Sequence, residues 1–501
     1  MLHVDLLILG GGINGTGIAR DAAGRGLSVL VCETRDLASG TSANSSKLIH
    51  GGLRYLEYGE LRLVHEALAE REILLQLAPH IIQALDFTLP WDRHLRPRWL
   101  IRLGLFLYDH LARRQQLARS KSLRFKPSPH NPLKPQFTHG FRYSDCSVDD
   151  ARLVILNALS AAELGAHILT RTTCIKIERF KTYWHATLQK SDQSLLQIHA
   201  KCVINATGPW VDQTHHALFT NPSLHHLQKI KGSHLIVPKF YQGTHAYILQ
   251  HTDQRIVFVI PFNNDTFDDT LLIGTTDIAF DGDPTTAQCS PAEAEYLCAV
   301  VNHYFQHTLS PDQALWSYSG VRGLVAVTGK SAQALSRDYA LEINSDAAPL
   351  LTVFGGKITT YRPLAEQALS LLAPYLAGRK KAWTATIPLP GGDLKGLTWQ
   401  VFLMQCRENY AFLPEKMCYR LAHAYGSRIT SILGTTANLD QLGPCFGADL
   451  YRAEVDYLYH HEWAYSADDI LWRRTKLGLQ FTTAQTVQLT DYLTSLCKLP
   501  K

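Results

Sequence analysis

The sequence predicts a mixed α/β fold, α+β overall, divided into several domains. Three features support this prediction: a glycine turn between a strand and a helix at the N-terminus, apolar runs alternating with polar turns over roughly residues 210–350, and a helix-forming composition beyond residue 397. Because a chain of 501 residues is too long for one ordinary core, two or three domains are expected.

The composition is that of a well-cored globular protein, since 46% of residues are hydrophobic and 19% are charged. The formal charge of +5 is small for this length and does not by itself argue for nucleic acid binding. The ten cysteines are scattered without a C-x-x-C pair, which favours reduced thiols in a cytosolic protein over a disulfide framework or a zinc site. No metal site is predicted.

The first apolar run, VDLLIL, lacks the basic lead of a secretory signal and continues into glycines, as a buried first strand does. No uninterrupted apolar run approaches the ~20 residues that span a bilayer. We therefore expect a protein that is soluble or attached to one face of a membrane.

The N-terminal segment VDLLILGGGINGTGIARDAAGRGLSVLVCE reads as a strand, a glycine turn, a helix and a second strand. Gly10, Gly12 and Gly15 satisfy G-x-G-x-x-G, and Glu33 follows Gly10 by 23 positions. Glycines let the backbone approach a pyrophosphate at a helix N-terminus, and a carboxylate at the second strand end can accept hydrogen bonds from a ribose. The segment predicts a Rossmann-like site for one dinucleotide, and it leaves NAD and FAD open.

The segment VINATGPWVD, residues 203–212, is an apolar strand that ends at Ala206, Thr207 and Gly208. This strand end can pack on the glycine turn and the cofactor, or it can be an ordinary strand–loop junction. Further along, runs such as RIVFVIPF and TLLIGTTD predict an antiparallel substrate sheet. IPLPGGDLKG, residues 387–396, reads as a linker to a helical C-terminal domain, 397–501.

The stretch KLIHGGLRYLE, residues 47–57, carries a Lys, a His, two glycines, an Arg and a Tyr shortly after the glycine turn. With GGGINGTGIARDAAGRGL, SDCSVDDARLV, NATGPWV, IKGSH, YSGVR, SRDY, FGGKITTYR and DDILWRRTKLGL in the same order, the chain closely resembles the aerobic FAD-dependent glycerol-3-phosphate dehydrogenases. These enzymes belong to the larger group of flavin enzymes related to D-amino-acid oxidase. The resemblance runs almost from end to end.

The resemblance implies a Rossmann-like FAD-binding domain assembled from about 1–90, 140–210 and 350–386, with substrate or cap segments at about 91–139 and 211–349. It implies oxidation of sn-glycerol 3-phosphate to dihydroxyacetone phosphate, with hydride passing from C2 to FAD and electrons passing to a membrane quinone. It also implies a homodimer in the cytoplasm, attached peripherally to the inner face of the cell membrane.

The implied chemistry explains which side chains the site needs. A phosphate dianion needs several cations, preferably arginines, and hydride leaves C2 only while a base takes the hydroxyl proton. The resemblance makes His234 the first candidate for that base, although the choice among the catalytic candidates His234, Arg322 and Lys357 stays open. The implied substrate-binding residues are Arg54, Tyr55, His234, Arg322, Arg337 and Lys357.

The resemblance also implies a set of FAD neighbours, in which Gly51 and Gly52 leave room for backbone to approach flavin or substrate. The cofactor-binding residues that it implies are Gly10, Gly12, Ile13, Asn14, Gly15, Glu33, Thr41, Ser45, Ser46, Lys47, Leu48, His50, Gly51, Cys174, Ala206, Thr207, Gly208, Gly356, Lys357, Ile358 and Thr359. One departure concerns Arg322: the family usually continues with proline and an acidic stretch, whereas this chain continues Gly323-Leu324-Val325-Ala326-Val327. Activity is still expected.

Residues 93–126 contain ten Lys or Arg and one acidic residue, and WLIRLGLFLYDHLARR lies inside them. By itself this pattern favours a basic helix on a soluble surface. With the membrane quinone that the resemblance implies, it favours an element resting on an anionic membrane, with Trp99 and Tyr108 at the interface. Three rival functions remain: an oxidase that passes electrons to oxygen and releases hydrogen peroxide, a flavin-dependent tRNA-modifying or other RNA-binding protein, and a noncatalytic FAD-binding scaffold.

Overall fold

The structure is a computed structural model that describes residues 1–126, 128, 130–220, 222–253, 255–262, 270–326, 338–376 and 380–497. Its strands are β1 (Leu2–Leu9), β2 (Val29–Cys32), β3 (Leu48–Ile49), β4 (Ile82–Pro90), β5 (Lys121–Arg124), β6 (His139–Val148), β7 (His167–Leu169), β8 (Thr172–Arg179), β9 (Trp184–Lys190), β10 (Leu195–Asn205), β11 (Leu227–Pro238), β12 (Ala246–Gln250), β13 (Ile256–Pro261), β14 (Thr270–Gly274), β15 (Ile278–Ala279), β16 (Trp316–Val325), β17 (Ala340–Asn344), β18 (Leu350–Phe354), β19 (Cys445–Gly447) and β20 (Leu450–Tyr451). Its α-helices are α1 (Ile13–Gly24), α2 (Leu61–Leu77), α3 (Arg98–His110), α4 (Asp150–Glu163), α5 (Val211–Leu218), α6 (Pro291–Tyr304), α7 (Tyr361–Leu372), α8 (Trp399–Asn409), α9 (Glu415–Tyr425), α10 (Ile429–Leu433), α11 (Arg452–His461) and α12 (Thr483–Cys497).

The first sheet carries the glycine turn and has the strand order β17-β18-β10-β1-β2-β7, with β8 and β9 continuing from β10. Strand β1 runs parallel to both β2 and β10, and β18 runs parallel to β10. Helix α1 places Ile18 and Ala22 against Leu6 and Ile8 of β1, in the core that also holds Leu364 of α7. Small side chains on α1 let the helix lie close to the sheet. The prediction of a Rossmann-like domain is confirmed.

The second sheet has the order β15-β11-β14-β13-β12-β4-β6-β3, with β16 beside β11 and β5 beside β6. Its described strand pairs are antiparallel except for β4 and β12. Because side chains alternate along a strand, Val257 and Val259 of β13 enter the core beneath α6, whereas Ile256 and Phe258 face the other side. The predicted antiparallel sheet is confirmed.

The sheets divide the chain differently from the predicted segments at several strands, including β3, which joins the second sheet, and β17, which joins the first. Strands β4 and β6 fall within the segments 1–90 and 140–210 that the resemblance gave to FAD binding, yet they pair with each other in the second sheet. An apolar run identifies a strand but does not say which sheet the strand joins.

The C-terminal domain consists of α8–α12 and the short pair β19–β20, packed around a core of its own. Residues 387–396 connect it to the rest of the protein without regular structure, and Leu389 in this segment is buried and donates its N–H to the Leu77 carbonyl at 2.9 Å. The predicted linker is therefore packed against the first domain. Among the described helices, none combines the length and apolar character needed to cross a bilayer.

Buried ion pairs hold the C-terminal domain to the first domain. The Arg152 guanidinium on α4 pairs with the Glu462 carboxylate, and both side chains are almost fully buried. The Arg474 guanidinium donates to both oxygens of Asp36, at 2.8 and 2.9 Å. Paired and buried charges of this kind require a fixed domain arrangement, because separating the partners leaves a buried charge without compensation.

Candidate active site

A cavity of about 910 Å³ lies where the first sheet meets the second. One side is formed by the loops that follow the carboxyl ends of the parallel strands β1, β2, β10 and β18, the usual ligand edge of such a sheet. The other side is formed by the face of the second sheet that is turned toward the cavity, including Phe87, Ile248 and Phe258. The volume falls within the range of roughly 300–1,000 Å³ that is typical of ligand sites.

The glycine turn between β1 and α1 requires glycine at Gly10. Its φ is +109°, and a Cβ there would lie 2.5 Å from the carbonyl oxygen of Ala206. The Ala206 N–H in turn donates to the Leu9 carbonyl at 2.9 Å. The end of β10 therefore packs directly on the glycine turn, which decides between the two readings of NATGPWV.

The Glu33 carboxylate closes β2 beside the same turn. One oxygen accepts the Gly11 N–H at 2.7 Å and the other accepts the Arg35 N–H at 2.9 Å. Burial raises the pKa of the Glu33 carboxyl, although these two backbone donors oppose the rise. Glu33 thus fixes the shape of the turn while still lining the cavity, where a ribose hydroxyl would meet it.

Asn14 lines the cavity at the start of α1, and one of its two side-chain polar atoms has no hydrogen-bond partner among the described residues. Its Nδ2 donates to the Gly355 carbonyl at 3.1 Å, whereas its Oδ1 is buried and accepts no hydrogen bond from the described residues. A buried amide oxygen in this state costs free energy unless a ligand donates to it. With the tight glycine turn and Glu33, this atom gives the cavity the chemistry that a dinucleotide needs.

Most of the predicted site residues line this one cavity. They are Gly10, Gly12, Ile13, Asn14, Glu33, Thr41, Ser45, Ser46, Leu48, His50, Arg54, Tyr55, Cys174, Ala206, Thr207, Gly208, His234, Arg322, Gly356, Lys357, Ile358 and Thr359. Arg337 lies outside the described residues. Gly15, Lys47 and Gly51 are described but lie behind the lining.

The three residues behind the lining each have a structural reason to be there. Gly15 packs against the Gly10 carbonyl inside the turn. The Lys47 ammonium points into the first domain and lies 3.0 Å from both Asp150 carboxylate oxygens. At Gly51 a Cβ would lie 2.5 Å from the Leu68 side chain, so close packing within the protein excludes a side chain there.

His234 lies on β11, where the second sheet faces the cavity, and is only 2% exposed. Its Nε2 shares a hydrogen bond with Ser46 Oγ at 2.9 Å, and its ring stacks on Tyr318 with 4.7 Å between centroids. Burial lowers the pKa of the His234 imidazole well below its ordinary value, and the cations of Lys47 and Arg322 lower it further. This lowered pKa favours the neutral imidazole at physiological pH.

Cationic side chains reach the cavity from distant parts of the chain. The Arg322 guanidinium on β16 donates to Asp277 Oδ1 at 2.6 Å and to the Thr276 carbonyl at 3.0 Å, which fixes its position. The Lys357 ammonium lies 3.9 Å from the centroid of the Tyr55 ring. Arg54 follows Gly52 at the cavity edge and donates to the Tyr58 hydroxyl at 3.1 Å.

An aromatic stack behind His234 was not anticipated from the sequence. Tyr318, which stacks on His234, lies 5.3 Å from the Trp316 ring, and Trp316 stacks on Trp472 at 4.6 Å between centroids. Trp472 belongs to DDILWRRTKLGL, so the C-terminal domain supports the site from behind. The family motif contains Trp472, but only the tertiary contacts show that this residue supports the ring behind His234.

Fold and cavity together define a dinucleotide-binding enzyme whose ligand site also holds cations and a neutral histidine. The family model for FAD dependent oxidoreductases matches residues 5–362, and that for the C-terminal domain of alpha-glycerophosphate oxidase matches residues 382–496. A solved structure, the glycerol-3-phosphate dehydrogenase from Bacillus halodurans complexed with FAD, superposes with a TM-score of 0.74 at 24% identity, covering 98% of this chain and 94% of that one. That superposition supports the fold.

Curated relatives are similar over nearly their whole length. Glycerol-3-phosphate dehydrogenase of Pseudomonas aeruginosa is 51% identical over 98% of this chain and 95% of its own. Aerobic glycerol-3-phosphate dehydrogenase of Escherichia coli K12 is 48% identical over 98% and 97%, and D-erythritol 1-phosphate dehydrogenase of Brucella abortus is 45% identical over 97% of both chains. The chain belongs to the FAD-dependent glycerol-3-phosphate dehydrogenase family of FAD dependent oxidoreductases. FAD is its cofactor.

Proposed function

We propose that the protein oxidises sn-glycerol 3-phosphate to dihydroxyacetone phosphate at this cavity and delivers the electrons to a membrane quinone. The observation that supports this proposal is the joining, in one cavity, of a dinucleotide cradle, cationic side chains and a buried neutral histidine. Relatives at 48% and 51% identity that are named glycerol-3-phosphate dehydrogenases support the same substrate.

The cations hold the phosphate. Arg322 is the principal candidate, because its link to Asp277 and the Thr276 carbonyl fixes a planar guanidinium, with several N–H donors, at the cavity wall. Arg54 and Lys357, at the same cavity, add charge around the dianion. Arg337, outside the described residues, is proposed as a further phosphate ligand. The attraction between a cation and a phosphate is stronger inside a cavity that excludes water than on the protein surface.

His234 is proposed as the base. The C2–H bond breaks with its electron pair leaving as hydride, the hydroxyl proton passes to the imidazole, and the C2–O bond becomes a carbonyl. When bound, FAD supplies the two-electron acceptor for this hydride. Ser46, whose hydroxyl shares a hydrogen bond with His234 Nε2, orients the ring, and Tyr318 stacked beneath it prevents rotation. A neutral imidazole is the form that this step requires.

Helix α3 supports a location at a membrane surface. Trp99, Leu103, Phe106 and Leu107 form an apolar stripe on its exposed face, and Trp99 is 69% exposed. Basic residues flank the stripe at both ends of the segment 93–126, as in helices that rest on anionic bilayers. Tyr108, expected at the interface, is instead buried, because it faces the second sheet.

Vesicle binding tests this membrane proposal. Replacing Phe106 with Ser should lower cosedimentation of the purified enzyme with anionic vesicles, since it removes apolar area that would enter the interface. Replacing Val487, an exposed apolar residue of α12, with Ser is the matched control and should leave binding unchanged. Equal loss in both variants would contradict a specific role for α3. From the family resemblance we also infer a homodimer, which sedimentation analysis tests.

An oxygen-dependent oxidase is the second candidate. It is favoured by the match of residues 382–496 to a domain of alpha-glycerophosphate oxidase. Purified enzyme supplied with glycerol 3-phosphate should reduce a soluble quinone much faster than it consumes oxygen. Rapid hydrogen peroxide release without quinone would overturn the quinone proposal and favour the oxidase.

A substrate panel tests the other half of the proposal. Because a relative at 45% identity is named for D-erythritol 1-phosphate, that four-carbon phosphate is the necessary competitor beside sn-glycerol 3-phosphate and glycerol. We expect the highest kcat/KM for sn-glycerol 3-phosphate. A higher value for the erythritol phosphate would reassign the substrate while leaving phosphate recognition intact, whereas a high value for glycerol would contradict it.

A further inference from the structure

A cluster of two histidines and an aspartate lies outside the cavity, on the second sheet's domain. Asp92 and His94 follow β4 in the loop that leads to α3, and His303 lies in the last turn of α6. Asp92 Oδ2 lies 2.7 Å from His303 Nε2, and Asp92 Oδ1 lies 3.3 Å from His94 Nδ1. One ligand atom from each residue lies within 4.8 Å of the other two.

The orientation of the His94 ring suits metal binding. Its Nε2 lies 3.3 Å from the Gln250 carbonyl oxygen, which only accepts, so Nε2 carries a proton. In a neutral imidazole the other nitrogen, Nδ1, then carries a lone pair, and this lone pair meets the Asp92 carboxylate. The Nδ1 atom is therefore placed to coordinate an ion that Asp92 also holds.

We propose that Asp92, His94 and His303 bind a divalent transition metal ion of the zinc class. Imidazole nitrogens with one carboxylate oxygen suit such an ion, at bond lengths of about 2.0–2.2 Å. Because His94 is exposed, water reaches the cluster and completes the tetrahedron. The cluster is outside the lining of the FAD cavity, so the ion takes no part in substrate oxidation.

The neighbours of the three ligands match the outer contacts of metal sites. Ligating histidines usually donate their second ring N–H to a backbone carbonyl, which fixes the ring orientation, and the Gln250 carbonyl has this position toward His94. The Asp92 carboxylate is itself oriented, since its Oδ1 accepts the Arg93 N–H at 2.5 Å. The Gln250 carbonyl is in turn held by the Tyr304 hydroxyl at 2.6 Å.

The consequence of binding is a cross-link between the loop 91–97 and α6. The loop leads directly into α3. The ion would therefore fix the position of the N-terminal end of this helix, which carries the exposed apolar stripe. The sequence does not reveal this site, because His303 is 209 positions beyond His94 and no short motif joins them.

Metal titration of the full-length FAD-loaded enzyme, freed of any affinity tag and stripped with chelator, tests the proposal. We expect one equivalent of Zn²⁺ by calorimetry, and Co²⁺ should give the intense visible absorption of a tetrahedral site. His94→Gln and His303→Gln should each weaken Zn²⁺ binding by at least roughly a hundredfold, beyond what loss of an outer contact causes.

His251→Gln is the matched control. His251 Nδ1 lies 3.3 Å from Asp253 Oδ1, the same separation as in the His94 pair, and this pair is not part of a three-ligand group among the described residues. Its variant should bind Zn²⁺ like the wild type. The proposal is overturned if the wild type binds no equivalent of Zn²⁺, if Co²⁺ stays octahedral and pale, or if His94→Gln and His303→Gln bind as the wild type does; flavin content and circular dichroism verify folding of each variant.

Discussion

Replacing Gly10 with alanine tests whether the first turn is built for FAD. At a φ of +109° a side chain is strained, which costs about 1–3 kcal/mol. The new Cβ would also lie 2.5 Å from the Ala206 carbonyl oxygen, and such overpacking costs about 1–3 kcal/mol more. Since FAD requires the native turn, we expect a combined loss of about 2–6 kcal/mol, or roughly thirtyfold to twenty-five thousandfold in FAD affinity.

The assay is the flavin-to-protein ratio after purification, followed by reconstitution of apoprotein with FAD. Gly26→Ala is the matched control: Gly26, just beyond α1, has a φ of +87°, but no described atom lies within 4 Å of the place a Cβ would take, and Gly26 does not line the cavity. It shares the backbone strain without the collision. Wild-type flavin content and affinity in Gly10→Ala would show that FAD does not require a glycine at this turn. An equal loss of FAD in both variants would show that the contact with Ala206 is not the cause.

Three further predictions concern the site and its support. Arg322→Lys keeps the charge but loses the planar fork, so kcat/KM for glycerol 3-phosphate should fall by about tenfold to a hundredfold, as expected for a lost charge-assisted hydrogen bond of about 1.5–3 kcal/mol. Because burial above all, with nearby cations, lowers the pKa of His234, the base stays deprotonated, and kcat at saturating substrate should remain level as pH falls through about 6.5, declining only below it. Arg152→Met leaves the buried Glu462 carboxylate without its main partner, so calorimetry should show a loss of about 3–5 kcal/mol in unfolding free energy, partly recovered by adding Glu462→Gln.

Each of these predictions has a clear contrary outcome. An unchanged kcat/KM in Arg322→Lys would remove that residue from the phosphate site. An acidic limb of the wild-type kcat profile, measured at saturating substrate and centred at or above pH ~6.5, would contradict a depressed pKa for His234. Arg428→Met, which removes a surface ion pair with Glu163, is the control for Arg152→Met. Its unfolding free energy should lie within about 1 kcal/mol of the wild-type value.

Much of the fold could be predicted because short sequence patterns determine its strands, helices and turns. The glycine turn, the strand at 203–212 and the acid at residue 33 each depend on a few consecutive residues with a fixed backbone requirement. Gly10 shows this best, since one neighbouring carbonyl excludes any side chain there. The assignment of β4 and β6 to the second sheet could not be predicted, because pairing is decided by contacts far apart in the chain.

Site residues could be predicted where they belong to a family motif. They could not be predicted where tertiary packing determines the direction or the support of a side chain. His234 and Arg322 line the cavity that the family motifs implied. The inward direction of the Lys47 side chain depends on Asp150, 103 positions away, and the support that Trp472 gives to the ring behind His234 depends on domain docking. Short motifs contain neither contact.

Anaerobic titration of the purified FAD-loaded enzyme with sn-glycerol 3-phosphate tests most directly whether one cavity joins flavin, phosphate and base. We expect bleaching of the oxidised flavin band with formation of one dihydroxyacetone phosphate per flavin, and no bleaching by glycerol, which lacks the phosphate that Arg322 and its neighbours would hold. A flavin that stays oxidised with sn-glycerol 3-phosphate, or that glycerol reduces equally well, would contradict it.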